Sequence, residues 1–426
     1  MQDPARRPTA AILTLGCKLN IADSEAMSRR LRSAGWAVTD RANDADAVIV
    51  NSCSVTSMAD QKSRHLVRLA RRLAPDASVA LTGCMVETAK PETLDALGAD
   101  VVSRQPQQLD LADRIAAMRP VAPELIEVLA PRLKTRAFVA AQEGCNDVCA
   151  FCIIPRTRGR ERSKSIDAVV AEALQREAEG ALEIVITGTQ LGAYGRDIED
   201  GDSSTPYELL SALLRQTSAP RIRMSSLQPQ DITPQLVGLW QDARLCRHFH
   251  LALQSGSQGV LERMRRRYSA EEYREAVQRL RAGIPGVAIT TDVIVGFPGE
   301  TEAEFEECCA FCEEMAFAGI HVFPYSNRSG TLAARLPGQV SDATKKERVH
   351  HLIELAQRMS RDYRESFVGS EVSVLWETQP EAGAWEGLTD TYVRVRGASA
   401  DDLHNTLTTA RIIGAGDDGL LAEVVP

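Results

Sequence analysis

Short apolar runs alternate with helical stretches from residue 9 to residue 324, and that alternation leaves few folds open. Residues 9–16, 46–51 and 78–82 read as buried strands. Residues 23–34, with Asp23 and Ser24 as caps, and the basic stretch 59–73 read as helices, and another helix starts near Pro91. Strands separated by helices build a parallel, doubly wound α/β sheet. A second series follows, with strands at 137–143, 183–187, 221–225, 248–253, 287–295 and 319–324 and helices such as 166–180 and 270–282. Six such β/α units predict an open or partial (β/α) barrel, whose reactive residues sit at the carboxyl ends of the strands. Beyond residue 366 the character changes. Segments 372–377, 392–395 and 420–424 are short and rich in Val and Thr, and they predict a small all-β barrel. The expected division is an N-terminal α/β domain over 1–125, a linker at 132–134 within the start of a central barrel over 132–366, and a C-terminal β-barrel over 367–426.

Six of the ten cysteines fall where this architecture puts its chemistry. Cys145, Cys149 and Cys152 have C-x3-C-x2-C spacing directly after the first strand of the second series, with no fourth cysteine nearby. Three thiolates can hold three irons of a [4Fe–4S] cubane and leave the fourth iron open for a ligand. Cys17, Cys53 and Cys84 each close a strand of the first series, in the contexts Leu15-Gly16-Cys17, Asn51-Ser52-Cys53 and Thr82-Gly83-Cys84. In an open α/β sheet the carboxyl ends of neighbouring strands lie together and bind ligands, so these three predict a second shared metal site. Cys308, Cys309 and Cys312 lie in a helical stretch, where packed thiols are expected, and Cys246 reads as structural.

A length of 426 residues asks for more than one core. No apolar run reaches the ~18–20 residues of a membrane span, and the N-terminus has no signal-peptide pattern, so a cytoplasmic, thiol-reducing setting is expected. The net charge of −9 speaks against a purely electrostatic nucleic-acid binder. The charge is uneven: ten acidic and three basic residues fall from Phe367 onward, a net of −7. Basic clusters stand elsewhere, at Lys62, Arg64, Arg68, Arg71 and Arg72, at Arg156, Arg158, Arg160, Arg162 and Lys164, and at Arg263, Arg265, Arg266 and Arg267.

With Phe151 before the last cysteine and Ile153-Ile154-Pro155 after it, the cysteine loop resembles that of radical S-adenosylmethionine (SAM) enzymes. Thr14-Leu15-Gly16-Cys17-Lys18-Leu19-Asn20, Asn51-Ser52-Cys53-Ser54-Val55-Thr56 and Thr82-Gly83-Cys84 narrow the resemblance to the methylthiotransferase family, and it extends over essentially the whole chain. The segments 185–195, 253–257 and 292–300 resemble the family's in order along the barrel. Lys18, where the isopentenyl branch typically has Gln, and the segment His321-Val322-Phe323-Pro324-Tyr325-Ser326 look most like the branch that modifies threonylcarbamoyladenosine. The chain departs from the family at Gln228, where Glu is usual before the proline, and around Ser329 and Leu332, where prolines are usual.

The resemblance implies an enzyme with two [4Fe–4S] clusters and SAM as cofactors. Cys145, Cys149 and Cys152 would hold the SAM-binding cluster, and Cys17, Cys53 and Cys84 a second cluster that delivers sulfur, the two facing each other. Gly188, Gln190, Ser226, Gln254 and Asp292 are the implied SAM contacts. The implied substrate is C2 of adenosine 37 in the tRNA anticodon loop. The implied helpers are a reductant such as flavodoxin or ferredoxin and a sulfur source. The basic runs at 62–72 and 156–164 are expected to grip tRNA phosphates, and the C-terminal module corresponds to a TRAM domain. Its negative charge would confine RNA contact to a face bearing Arg394, Arg396 and Arg411. The same chemistry on isopentenyladenosine or on an aspartate of a ribosomal protein stays open. So does a zinc-stabilised RNA-binding protein without enzymatic activity, although zinc favours four closed ligands.

Overall fold

A computed structural model describes residues 6–105, 107–122, 135–198 and 204–425. The linker expected at 132–134 and the boundary at 125 lie outside these residues.

The first sheet has five strands: β1 (Thr9–Thr14), β2 (Ala37–Thr39), β3 (Ala47–Ser52), β4 (Ser78–Gly83) and β5 (Val101–Val102). They run in the order β2-β1-β3-β4-β5, with every pairing parallel. Alternate residues feed two cores. Ala11, Val48, Val50, Val79 and Leu81 pack on one face, and Ala10, Ile12, Ala47, Ile49 and Ala80 on the other. After β1 the chain visits β2 on one side and then β3 on the other, so the winding reverses between β1 and β3. Open α/β sheets bind ligands in the crevice at that reversal, outside the carboxyl ends of the strands.

Helix α1 runs from Lys18 to Ser33 and starts five residues earlier than its sequence suggests. Asp23 and Ser24 are therefore interior residues and not caps. Their polar groups are used laterally: Asp23 pairs with Arg158 at 2.9 Å, and Ser24 Oγ lies 2.7 Å from Thr14 Oγ1 and accepts from Asn51 Nδ2. Helix α2 spans Ser57–Leu73, capped by Thr56, whose hydroxyl accepts from the Ala59 amide.

The central unit contains β6 (Arg136–Glu143), β7 (Arg162–Ser163), β8 (Glu183–Gly188), β9 (Arg221–Met224), β10 (His248–His250), β11 (Ala288–Val295) and β12 (Gly319–Pro324). Two sheets, β7-β6-β8-β9 and β10-β11-β12, meet through parallel bridges at Ile222–Leu245 and Leu227–Leu251. The six parallel strands therefore curve as a partial barrel. Helices Ile166–Ala178, Pro206–Gln216, Ala270–Gly283 and Glu302–Met315 cover its outer face, where one large core contains Val139, Ile186, Ile222, Phe249 and Val293. The inner face is covered in part by α1, whose Ala22 packs on Phe138 and Val185.

A 24-residue helix, Asp342–Glu365, leads to a closed barrel of β13 (Glu371–Glu381), β14 (Ala384–Thr389), β15 (Arg394–Ala398), β16 (Thr406–Gly416) and β17 (Gly419–Val424). Its core is built on Trp376, Trp385, Val395 and Ile412. The acidic character of this barrel serves contacts within the chain. Glu377 pairs with Arg136 at 2.6 Å and Asp390 with Arg247 at 2.6 Å, while Arg221 and Arg223 donate to the carbonyls of Leu388, Asp390 and Thr389. Of the arginines expected to offer an RNA-binding face there, Arg396 pairs with Glu386 and Arg411 with Glu371. No helix among the described residues is long and apolar enough to cross a membrane.

Candidate active site at two cysteine groups

The first cysteine group is one loop at the carboxyl end of β6. Gly144 has φ +72°, and a Cβ there would overlap the Arg160 carbonyl, so only glycine lets the chain turn this tightly. The Cys145 amide then donates to the Gly159 carbonyl at 3.1 Å and the Cys152 amide to the Cys149 carbonyl at 3.1 Å. The sulfurs are received by polar groups: the Asp147 amide donates to Cys145 Sγ (3.3 Å), the Ile154 amide to Cys152 Sγ (3.4 Å), and Arg266 to Cys149 Sγ (3.2 Å). Burial pushes the Cys145 thiol up to about 11 and the Cys152 thiol up to about 12. Ligation to a metal requires thiolate, so loading this loop releases protons.

Gln228 explains one departure from the family. Its amide donates to the Asp147 carboxylate at 3.2 Å, and Arg267 pairs with Asp147 at 2.7 Å. A glutamate at 228 would oppose Asp147 directly.

The second cysteine group is assembled from three strand ends. Cys17 follows Gly16 and stands at the start of α1, Cys53 follows β3, and Cys84 follows Gly83 and opens the short helix Cys84–Thr88. Cys17 and Cys53 thus flank the reversal between β1 and β3. Asn20 ties those ends together by donating to the Leu15 carbonyl (2.6 Å) and the Ser52 carbonyl (2.9 Å). Cys53 is fixed by Ser63, whose hydroxyl accepts from its amide and donates to its carbonyl. Burial raises the Cys84 thiol to about 11, against the pull of the nearby Arg158 guanidinium.

Arg158 is misjudged by sequence reasoning, which places it among the tRNA-gripping cations. It is 3% exposed and bonds Asp23 (2.9 Å), Glu143 (2.8 Å) and Asn20 Oδ1 (2.5 Å). A side chain sequestered in this way cannot meet a phosphate. It joins the first cysteine loop to the second cysteine group instead. Two other members of its run are also neutralised, Arg162 by Glu143 and Lys164 by Glu172. Of the other basic runs, Arg71 pairs with Asp100, Arg263 with Glu304 and Arg267 with Asp147. Among the described residues, Lys62, Arg64, Arg68, Arg72, Arg156 and Arg160 have no carboxylate partner. Arg64 and Arg156 line a groove of about 550 Å³ together with Arg328, which reaches from the loop after β12 to Asp60 (2.6 Å) and Ser54 (2.8 Å).

A cavity of about 190 Å³ opens beside Cys152 and reaches the segment that follows Cys53. Val55 and Thr56, just after Cys53, form one wall, and Phe151, Cys152, Ile153 and Ile154 form another. Gln254, Asp292, Ile294, Phe323 and Tyr325 from the barrel complete it. Gln254 and Asp292, two of the implied cofactor contacts, therefore line the space beside the first loop. Gln190 is buried, and its carbonyl oxygen accepts from Cys145 Sγ at 3.0 Å. Gly188 abuts the Gln142 side chain at the end of β8, and Ser226 is half-buried after β9.

Deeper in the lumen, Asp292 is held by two imidazoles. His250 Nε2 lies 3.3 Å from its carboxylate and His321 Nδ1 3.0 Å. Burial opposes its ionisation, yet these hydrogen bonds hold its carboxyl well below the usual carboxylate range. Lys18 enters the same lumen, its ammonium 5.6 Å from the centre of the Tyr392 ring, which Arg136 and Arg223 also flank. His321 opens a segment that resembles the family, but its pairing with His250 around Asp292, and the place of Tyr392, are revealed only by the strand register and the fold. Alternation along β12 places His321 on the face of Phe323, opposite Asp292 of β11.

The family described as the Radical SAM superfamily matches residues 139–312, and the one described as Uncharacterized protein family UPF0004 matches residues 9–103. The threonylcarbamoyladenosine tRNA methylthiotransferase MtaB of Bacillus subtilis is 36% identical over 98% of this chain and 97% of its own length. The chain belongs to the methylthiotransferase family. An MtaB from Thermotoga maritima is 35% identical over 91% of this chain and 90% of its own. A tRNA-2-methylthio-N(6)-dimethylallyladenosine synthase from Moorella thermoacetica is 37% identical over 87% of each. Among solved structures, the radical SAM methyltransferase TsrM from Kitasatospora setae shares the fold, with a TM-score of 0.53 at 15% identity over 75% of this chain and 72% of that one.

Methylthiotransferases of this superfamily use SAM and [4Fe–4S] clusters. The donors present suit such a cluster better than a single ion. Zinc at ~2.3 Å from each sulfur holds its thiolates within about 4 Å of one another. Among the described residues, neither cysteine group brings three sulfurs within 4.8 Å; the group that does so with its donors is His250, Asp292 and His321. Each group offers three thiols and, among the described residues, no fourth cysteine nearby, a donor set that suits a cluster with one open iron better than closed four-ligand zinc.

Proposed function

We propose that this methylthiotransferase inserts a methylthio group at C2 of N6-threonylcarbamoyladenosine 37 in the tRNA anticodon loop. The observation that carries the proposal is the single cavity walled by Cys152 on one side and by the residues following Cys53 on the other. Cys145, Cys149 and Cys152 would hold one [4Fe–4S] cluster, and Cys17, Cys53 and Cys84 the other. When bound, the first with SAM supplies one-electron chemistry at C2, and the second supplies sulfur. The remaining work belongs to the chain. Gly188, Gln190, Ser226, Gln254 and Asp292 orient SAM, and Phe151, Ile153, Ile294 and Phe323 exclude water from the reacting centre. Arg158, linked to Asn20, Asp23 and Glu143, fixes the separation of the two cysteine groups.

The threonylcarbamoyl substrate is favoured over isopentenyladenosine by the near end-to-end match with the Bacillus subtilis relative and by Lys18, an unpaired cation facing the lumen. Arg64, Arg156 and Arg328 line the groove that would follow the RNA backbone. The reaction also needs a reductant of the flavodoxin or ferredoxin type and a sulfur source, in the cytoplasm where tRNA resides. Mass spectrometry of tRNA nucleosides from cells with and without the gene tests the assignment. Loss of 2-methylthio-threonylcarbamoyladenosine is expected; its persistence alongside loss of the isopentenyl form would transfer the enzyme to the other branch.

A further inference from the structure

The lumen of the partial barrel contains a polar ladder that neither cysteine group uses. Nearest the cavity stand Ile294 and Phe323, then Asp292 with His250 and His321, and then Thr290 with His248. At the far end Arg223 and Arg221 enclose Glu183, and the Asp390–Tyr392 turn of the C-terminal barrel closes the lumen. Each carboxylate at this end already has an arginine: Glu183 has Arg223 at 2.7 Å, Glu377 has Arg136 at 2.6 Å, and Asp390 has Arg247 at 2.6 Å. Lys18 has none. Among the described residues it meets only the face of Tyr392, in a ring of cations that includes Arg136 and Arg223. Glu183 attracts this half-buried ammonium only from a distance, while Arg136 and Arg223 repel it, so an incoming anion would give Lys18 the direct partner it lacks.

His321 is the second unfilled position. Its side chain is 66% exposed although it stands on an inward-facing strand position. An ionised Asp292 can only accept, so the imidazole presents Nδ1–H to it, and in the neutral ring Nε2 is left as an acceptor. His250 is not free in this way, because its two nitrogens engage Asp292 and Thr290.

We propose that Lys18 and His321 form a two-point receptor for the threonyl group on N6 of the target adenosine, with Lys18 binding its carboxylate and His321 Nε2 accepting from its hydroxyl. The inference rests on the substrate reading above and adds the residues that select it. An isopentenyl group offers neither an anion nor a hydroxyl, so it would leave Lys18 unpaired in the lumen.

The test uses the full-length, cluster-loaded enzyme with SAM and measures anaerobic binding of anticodon stem-loop RNAs by fluorescence anisotropy. Three RNAs carry the threonylcarbamoyl group, its carboxamide, and the glycyl analogue that lacks the hydroxyl. Wild type should bind the acid about 10- to 100-fold tighter than the carboxamide, as expected for a charge-assisted contact. Lys18→Gln should bring the acid down to the carboxamide level and leave the carboxamide unchanged, while Lys18→Arg keeps most of the preference. His321→Phe should erase a several-fold preference for threonyl over glycyl. Equal binding of acid and carboxamide by wild type would overturn the receptor, and this comparison stands even if Lys18→Gln fails to load iron. A uniform loss on all RNAs in Lys18→Gln, or a matching loss of SAM affinity, would also overturn it. Methylthiolation of isopentenyl RNA in preference to every threonyl RNA would instead defeat the underlying substrate reading.

Discussion

The two cysteine groups reach similar chemistry by opposite routes. Cys145, Cys149 and Cys152 occupy eight consecutive positions on one loop, pinned by backbone bonds to Gly159 and, through Ala150, to Met264 and Ala333. Cys17, Cys53 and Cys84 are contributed by three parallel strands and meet only because β1, β3 and β4 are neighbours. The loop can lose its metal and leave the barrel intact, since its strands are held by their own core. The assembled site cannot be separated from its sheet in this way, because its ligands sit at the carboxyl ends of three interior strands. The loop is a property of local sequence, and the second site a property of topology.

Removing one thiol from each group tests this most severely. Cys152→Ser should abolish product formation and lower iron from about eight to about four per chain, with little change in Tm of the apoprotein. Cys84→Ser should give the same iron loss and no product, and should also loosen β3 and β4, seen as faster amide exchange at residues 48–52 and 79–83. Equal exchange in the two variants would erase the distinction. A smaller blow falls on the glycines that turn the chain into each group. Gly144→Ala and Gly83→Ala both force a Cβ into backbone, at the Arg160 and Ser52 carbonyls, from positive φ. Strain of this kind costs roughly 1–3 kcal/mol before the clash is counted. Gly144→Ala should lose the loop cluster alone, whereas Gly83→Ala should lose the assembled cluster and lower the denaturant midpoint, because its clash lies inside the sheet.

The same contrast decides what the sequence could reveal. The C-x3-C-x2-C loop is legible because its ligands are near neighbours. The second site is legible for a different reason: three strands repeat one ending, and parallel strands align their ends. The lumen residues repeat nothing. Arg158 looks like any member of a basic run, and only its depth separates it from Arg156 and Arg160, which remain exposed. The start of α1 was hidden because Asp23 and Ser24 have capping chemistry but spend it on Arg158 and Thr14. The C-terminal barrel was legible as β structure, while the use of Glu377 and Asp390 depended on arginines 241 and 143 positions away. Charge counts could not show that two of its carboxylates, Glu377 and Asp390, face inward to the central unit.

Arg158 sits on the boundary between the two routes and should be sensitive to both. Arg158→Ala leaves Asp23 and Glu143 without their shared cation in a nearly closed site, and breaking a buried pair of this kind costs about 3–5 kcal/mol. Arg158→Lys should rescue little, because one ammonium cannot reach Asp23, Glu143 and Asn20 together. Denaturation of the apoprotein measures this cost, and SAM-independent iron content measures whether both groups still load. A loss confined to the loop cluster would mean that Arg158 supports only its own segment.

A pH dependence is also expected on the loop side, separable by mutation from the one that buried Asp23 gives the other side. Asp231 backs this side by accepting from the Gln228 amide at 2.8 Å, and Gln228 in turn holds Asp147 of the loop. Burial raises the Asp231 carboxyl to about 6, against that hydrogen bond and the more distant Arg196. A carboxyl raised in the folded state binds a proton that the unfolded chain has already released between about pH 4 and pH 6. Stability therefore falls as pH rises through this window, by roughly 2–3 kcal/mol for a shift of this size. Asp231→Asn should flatten the slope of unfolding free energy between pH 4 and 6 without altering the iron bound by Cys17, Cys53 and Cys84. An unchanged slope would show that Asp231 stays ionised at its post, and that the loop is supported by a charge where burial argues for a proton.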